Sequence, residues 1–151
     1  MAARTRKKLQ QPDTLTTAVQ ELLASEGYRP QVEEQEEGPP RLRFKSEGTS
    51  YLVRFDPRDA EFLQLCCGFS VAEGLRDELA LLRAANEVQG STKVVKVFLF
   101  PDLDVVEFQM ELVVGAEGFT TPLLDRCLGT LRAASAEYFE KAAPVPPAAR
   151  A

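Results

Sequence analysis

The chain has 151 residues, a formal net charge of -5, 44% hydrophobic and 27% charged residues, and no histidine. This length predicts one domain with one hydrophobic core, and the composition is average for a globular protein rather than for a disordered or membrane protein. The lack of histidine excludes serine–histidine and cysteine–histidine nucleophiles and histidine metal ligands. An enzyme of this composition would depend on carboxylates, lysines or a metal held by oxygens.

The sequence also restricts the compartment. No apolar run reaches the roughly 18 residues of a membrane-spanning helix, and no apolar segment follows the basic N-terminus. Three cysteines, with Cys66 and Cys67 adjacent, do not make a disulfide framework, so we predict a cytoplasmic protein. Adjacent strand residues point to opposite faces, so these two and Cys127 are interpreted as packing residues rather than as a metal or redox site.

We predict a single domain at residues 13–142 between two disordered tails, residues 1–12 and 143–151. The N-terminal tail holds a basic cluster, consisting of Arg4, Arg6, Lys7 and Lys8. This cluster gives an alternative function, a weak and salt-sensitive affinity for nucleic acid. Because the remainder of the chain is acidic and would repel phosphates, we interpret the tail mainly as a solvated terminus.

The first predicted helix begins at Asp13 or Thr14, either of which can cap it, and ends at Gly27. Its apolar residues recur at the spacing of one helix face, and they are Leu15, Ala18, Val19, Leu22 and Leu23. This spacing predicts an amphipathic helix whose apolar face contacts the core of the domain.

Three or four strands are predicted next. Gln31–Gln35, rich in carboxylates, predicts a short edge strand. Apolar and polar residues alternate through Arg41–Lys45 and again through Ser50–Phe55, which predicts a hairpin that turns at Glu47-Gly48. Glu61–Phe69 is apolar on both faces and therefore predicts a strand in the middle of the sheet.

The second predicted helix is capped by Ser70 and broken at Gly90-Ser91. Its apolar stripe is wider than one packing surface needs, and it comprises Val71, Leu75, Leu79, Leu81, Leu82, Ala84, Ala85 and Val88. The strand Val94–Phe100 that follows carries a single charge, Lys96, which predicts a central position or cover on both faces. Residues 106–112 alternate between apolar and polar side chains and predict a strand with one wet face.

The last helix is the clearest in the chain and begins near Phe119–Pro122, with the proline in its first turn. Its stripe consists of Leu123, Leu124, Cys127, Leu128, Leu131, Ala134, Ser135, Tyr138 and Phe139. Short turns between strands predict a mainly antiparallel sheet of five to six strands. With three helices in the order α-β-β-β(-β)-α-β-β-α, the predicted class is an α+β domain with its helices on one face.

Two carboxylate clusters are candidate metal sites. The first consists of Asp102, Asp104 and Glu107, and the second of Asp56, Asp59 and Glu61. A D-x-D pair can hold a divalent cation, but neither cluster has further ligands or a phosphate-cradling glycine loop, and aspartate is an ordinary turn residue. We therefore predict no metal, cofactor or catalytic residue, with a small metal-assisted enzyme on the first cluster as the alternative.

The stretch "FLQLCCGF…LLRAANEVQGSTKVVKVFLFPDLDVVEFQMELVV", followed by "FTTPLLDRCLGTLRAASAEYFEKA", resembles the bacterial YbjN-like family from about Thr14 to Lys141. The most specific part is Ala85-Asn86-Glu87 at the end of the second helix, with Lys93 and Lys96 around the start of the next strand. In the family we expect a second asparagine three residues after the first, and this chain has Gln89 there.

The resemblance implies the fold of the small dimeric chaperones of type III secretion, which hold partner proteins in a partly extended state without catalysis. It also implies a homodimer in which the second helix and the next strand form much of the contact. The expected contact with a second copy or another partner consists of Leu75, Leu79, Leu82, Val95, Val97 and Leu99. The expected function is a non-enzymatic protein-binding module, a chaperone-like adaptor or regulator acting as a homodimer on an unidentified client protein.

Overall fold

The structure is a computed structural model that describes residues 14–71, 77–100, 102 and 104–143. Its elements are α1 (Thr14–Ser25), β1 (Gln31–Glu33), β2 (Arg41–Ser46), β3 (Thr49–Asp56), β4 (Asp59–Ser70), α2 (Glu78–Ser91), β5 (Val95–Phe100), β6 (Val105–Val113) and α3 (Thr121–Ala142). The predicted tails, with the basic cluster Arg4, Arg6, Lys7 and Lys8, lie outside the described residues, apart from Ala143. Leu75 also lies outside them.

The described strands form one antiparallel sheet in the order β1-β2-β3-β4-β6-β5. The predicted α+β class is confirmed, as are the charged edge position of β1 and the central position of β4. The hairpin between β2 and β3 turns at Glu47 and Gly48, as predicted, and both have positive φ angles, 49° and 81°. Two residues with positive φ are what the twist of a two-residue hairpin requires.

One core lies between the helices and one face of the sheet. Phe108 of β6 is fully buried, and its ring lies edge-on to Tyr138 of α3 at 5.4 Å between centroids. Phe69 of β4 contacts the same Phe108 at 5.9 Å. Burying each large apolar side chain stabilises the fold by about 1.5–3 kcal/mol, so this cluster anchors α3 to the centre of the sheet.

The predicted start of α2 was wrong. Ser70 does not cap α2, because it is the last residue of β4 and pairs with Val105 in the β4–β6 ladder. Asp77 is the cap, with its carboxylate accepting from the amides of Leu79 and Ala80 at 3.1 and 3.4 Å. These bonds satisfy amides at the start of a helix that have no partner inside it.

At the other end, α2 ends at Ser91, within the predicted break at Gly90-Ser91. The Ser91 hydroxyl donates to Glu137 of α3 at 2.8 Å. The chain then turns at Val94, which has a φ of 64°. A β-branched residue rarely adopts this left-handed conformation, so the turn between α2 and β5 is strained.

The prediction of a central or fully covered β5 was wrong, because β5 is the last strand of the sheet and pairs only with β6. Val95 and Val97 are buried toward the helices, whereas Lys96, Phe98 and Phe100 are exposed on the opposite face. An apolar strand therefore lies at an open edge, and hydrophobicity alone did not distinguish that position from a central one.

Candidate functional site

The expected contact residues divide into two groups in the structure. Leu79 and Leu82 of α2 are 55% and 49% exposed. Val95 and Val97 are core residues, so their side chains are not available to a partner, and Leu99 is partly buried. The contact itself stays a prediction. On the strand, the apolar side chains exposed to a partner are Phe98 and Phe100 rather than Val95 and Val97.

Exposed apolar residues concentrate on these two elements. Among the described residues, seven large hydrophobic side chains are exposed, and five belong to α2, β5 or the turn between them, namely Leu79, Leu82, Val94, Phe98 and Phe100. We call these five residues the α2–β5 surface. Scattered exposed apolar residues are ordinary, but a group on adjacent elements is typical of a protein contact site.

The free edge of β5 adds backbone groups to this surface. Val71 donates its amide to the Asp104 carbonyl at 2.7 Å, and Val114 donates to Glu61 at 2.9 Å, so even-numbered positions of β6 bond to β4. Hydrogen bonds of an antiparallel strand alternate between its two sides, so odd-numbered positions of β6 bond to β5. Their partners there are Lys96, Phe98 and Phe100. The backbone groups of Val95, Val97 and Leu99 consequently point away from the sheet.

One of these outward amides already has a partner. The side-chain oxygen Oε1 of Gln89, on α2, accepts a hydrogen bond from the backbone amide of Val97 at 3.3 Å. This hydrogen bond is independent evidence that the backbone amide of Val97 points away from β6. Gln89 stands where the family resemblance predicts a second asparagine. This departure was the only feature of the sequence that singled out residue 89.

The segment Ala85-Asn86-Glu87 has a structural role in the fold. Glu87 forms a salt bridge with Lys141 of α3, with 3.0 Å between Oε2 and Nζ. The side chain of Asn86 is exposed and makes no hydrogen bond to any other described residue. The segment thus joins the C-terminal ends of α2 and α3.

The face of the sheet opposite the helices holds an ion pair. Arg54 of β3 makes two 2.8 Å hydrogen bonds to the carboxylate of Glu107 on β6, across the intervening β4. This pairing raises the pKa of Arg54. The ion pair crosses above Cys66, which is 1% exposed although it belongs to the same face.

The cysteines are packing residues, as predicted. All three are free and buried. Burial raises the pKa of Cys66 and of Cys67 to about 12 and that of Cys127 to about 11. Because the thiolate is the reactive form, these thiols are protonated and unreactive near neutral pH.

The carboxylate clusters do not assemble into a metal centre. Within residues 14–71, 77–100, 102 and 104–143, no three cysteine, aspartate or glutamate side chains lie close enough to hold one metal ion. Glu107 is instead bound to Arg54. Asp104 borders a hollow of about 250 Å³ between α2 and the β5–β6 hairpin, whose lining is mainly apolar and includes Leu81, Leu99 and Phe100.

These features are consistent with the family comparison. The sequence model of YbjN, described as a putative bacterial sensory transduction regulator, matches residues 16–143. The chain belongs to the YbjN family. The search of curated proteins gives no match for this YbjN-family chain. None of its described helices is long and apolar enough to cross a membrane.

Solved structures resemble the YbjN-family chain at low sequence identity. An uncharacterized protein from Methanothermobacter thermautotrophicus is 12% identical, with a TM-score of 0.64 over 84% of this chain and 95% of that one. A chain of the HopA1–SchA chaperone–effector complex is 15% identical, with a TM-score of 0.57 over 83% and 92%.

YbjN from E. coli, described as a putative transcription regulator, is 14% identical, with a TM-score of 0.53 over 84% of this chain and 87% of that one. Similarity at such identities shows the fold alone. The fold is therefore type III secretion chaperone-like, as the sequence resemblance implied.

Proposed function

We propose that this chain is a cytoplasmic, non-enzymatic protein-binding module that acts as a homodimer, as an adaptor or regulator of a client protein. The α2–β5 surface carries the proposal. It combines five exposed apolar side chains with the free backbone edge of a six-residue strand. An exposed apolar edge strand promotes aggregation, and proteins usually bury or block such an edge. We therefore expect a protein partner to bind over the edge of β5.

The chemistry of the described residues favours binding over catalysis. The chain has no histidine, its three thiols have raised pKa values, and its candidate carboxylates do not converge. Membership of a family described as a regulator supports the same interpretation. Likeness to a chain of a chaperone–effector complex supports a client protein rather than a small substrate.

The dimer is tested by sedimentation velocity from about 1 to 100 µM. We expect the wild type to be a dimer and the double variant Leu79→Glu/Leu82→Glu to be a monomer, because two carboxylates per copy would be buried in the contact. The matched control is Val32→Glu/Val113→Glu, which changes two residues of similar exposure away from the surface. A monomeric wild type at these concentrations would contradict the dimer.

The client is tested by affinity purification with the wild type and the same two double variants as baits. We expect a specific protein to be retained by the wild type and by Val32→Glu/Val113→Glu, with mass spectrometry identifying it. If none of the baits retains a specific protein, the adaptor role is contradicted, whatever the state of association.

A further inference from the structure

Within the proposed homodimer, whose contact through α2 and β5 the family resemblance already implies, we propose that the two β5 edges pair with Val97 at the two-fold axis and that Gln89 guards this edge in the monomer. The proposal rests on the proposed function, because it specifies how the homodimer forms. It concerns three parts of the structure: the outward backbone groups of β5, the exposed flank of α2 and the hydrogen bond from Val97 to Gln89.

The outward backbone groups determine the register. Val95, Val97 and Leu99 direct their backbone groups away from β6, as the β4–β6 bonds require. In an antiparallel pair, hydrogen-bonded residues lie opposite one another. A two-fold axis at Val97 places Val97 opposite itself and Val95 opposite Leu99, so all three outward residues are paired. Moving the axis to either neighbouring position leaves one of them without a partner.

The side chains agree with this register. On the face away from the helices it places Lys96 opposite Phe98 of the second copy rather than opposite the second Lys96. The Lys96 ammonium is bound to Glu111 of β6 at 2.6 Å, so its aliphatic stem is the part that faces the ring, and the register avoids two like charges directly opposite each other. On the helix side the facing residues are all aliphatic, namely Val95, Val97 and Leu99.

The exposed side of α2 indicates why a second copy of the chain, rather than a lone extended peptide, binds at the β5 edge. Residues 79, 82, 86 and 89 fall on one side of α2 by helical spacing, and Gln89 reaches the edge of β5 from that side. Leu79 and Leu82 therefore lie beside the edge, in the helical layer. A peptide strand would cover the edge and leave both leucines in water, whereas a two-fold copy brings its own α2 alongside.

Gln89 occupies the centre of the proposed contact. Its Oε1 takes the hydrogen bond of the Val97 amide that the second copy would otherwise accept. The two interactions are mutually exclusive, so association requires Gln89 to release Val97 in both copies. The guard therefore weakens the dimer and shields the edge while the chain is alone.

The first experiment measures the dimer dissociation constant by sedimentation for Gln89→Ala, Gln89→Glu and the wild type. Gln89→Ala should lower the Kd about tenfold, because one competing hydrogen bond disappears per copy. Gln89→Glu should raise the Kd about tenfold, since a carboxylate accepts more strongly and two charges meet at the axis. Arg83→Ala, a truncation at another exposed position of α2, is the matched control and should leave the Kd unchanged.

The sign of the Gln89→Ala effect distinguishes a guard from an ordinary contact. If Gln89 only contacts the partner, truncating it weakens the dimer. A wild-type dimer that Gln89→Ala weakens or leaves unchanged would overturn the guard and leave the proposed function standing.

The second experiment tests the guard in the monomer. In the Leu79→Glu/Leu82→Glu background, Gln89→Ala should speed hydrogen exchange of the Val97 amide about threefold or more, with the Lys96 amide as the internal reference. Unchanged exchange overturns the guard. A wild type that stays monomeric overturns both the proposed dimer and its mode, even if exchange responds.

The third experiment tests the register by cross-linking. Lys96→Cys/Phe98→Cys should form intermolecular disulfides on mild oxidation, because a facing pair outside the hydrogen-bonded positions has Cα atoms about 4.5 Å apart. Lys96→Cys alone should cross-link little, and the buried native cysteines should not interfere. Equal cross-linking of the single and double variants would overturn the register.

Discussion

The two edges of the sheet are protected in opposite ways. β1 has three residues, and Glu33 on it pairs with Arg43 of β2 and is followed by further carboxylates and two prolines in the loop to β2. β5 has six residues, with Lys96 as its only charge. The short length and the charges of β1 discourage the addition of a further strand there, whereas β5 has neither of these protective properties.

The molecule therefore discourages strand addition at one edge of the sheet and not at the other. At the β5 edge, the proposed guard is one glutamine side chain. A protein that needed only to remain monomeric would be expected to carry charge on both edges. Changes that exchange the properties of the two edges are therefore the most informative.

The largest effect is expected from adding charge to β5. Phe98→Lys should weaken self-association about a hundredfold, because it removes an aromatic contact and faces Lys96 of the other copy with a like charge. Sedimentation equilibrium measures the Kd. Val113→Lys, also at an exposed apolar position but on β6, should associate as the wild type does. Equal weakening by both variants would argue against a contact specific to β5.

The reciprocal change removes charge from β1. In the monomeric Leu79→Glu/Leu82→Glu background, Glu33→Val should create a new, weak self-association, favoured by about 1–2 kcal/mol through burial of Val32 and the new valine. Light scattering at increasing concentration detects it. Glu21→Val, which changes an exposed carboxylate on α1, is the control and should remain monomeric. Monomeric Glu33→Val would show that shortness alone protects β1.

A smaller effect is expected at the turn before β5. Val94→Gly should raise the free energy of unfolding by about 0.5–1 kcal/mol, because glycine relieves the left-handed strain at a φ of 64°. The valine side chain is 63% exposed, so little packing is lost. Urea denaturation of the monomeric background measures the change. A destabilised variant would mean that packing of this side chain outweighs the strain.

The smallest effect concerns the ion pair on β1. The hydrogen bond from Arg43 lowers the pKa of Glu33 from its ordinary value of 4.5. A lowered carboxyl pKa stabilises the fold above the unfolded pKa, and the stabilisation is lost as pH falls through the folded pKa. Glu33→Gln should thus be less stable than the wild type above about pH 5, by a few tenths of a kcal/mol for this part-exposed pair, and the difference should shrink as the pH falls. Urea titrations at neutral pH and at successively lower pH measure this difference, and a gap that does not shrink on acidification would contradict it.

Local patterns predicted most elements because their causes are local. The alternation around Glu47-Gly48 sets the hairpin, and the charges after Gln31 mark an edge. The start of α2 was missed because pairing of Ser70 with β6 depends on residues far along the chain. The edge position of β5 was missed because an apolar composition does not distinguish two kinds of strand. One has both neighbours in its own chain, and the other has a free edge at which a strand of another chain could be the second neighbour.

The candidate site was only partly predictable for the same reason. The leucines of α2 were expected at the surface, and Leu79 and Leu82 are exposed. Which face of β5 points outward depends on its pairing with β6, so Val95 and Val97 were expected where Phe98 and Phe100 lie. The hydrogen bond of Gln89 depends on how closely α2 approaches β5, and composition carries no information about that distance.

The order of strands also has a consequence during synthesis. β4 lies between β3 and β6, and β6 is made only after α2 and β5. While the chain emerges from the ribosome, β4 has its β3 neighbour but still lacks β6, so its apolar edge is open for the time needed to translate the intervening residues. Nascent chains with such open edges are prone to misassemble with one another. A slowly translated or truncated product that ends before β6 should thus aggregate through β4, at a site that the finished protein no longer presents.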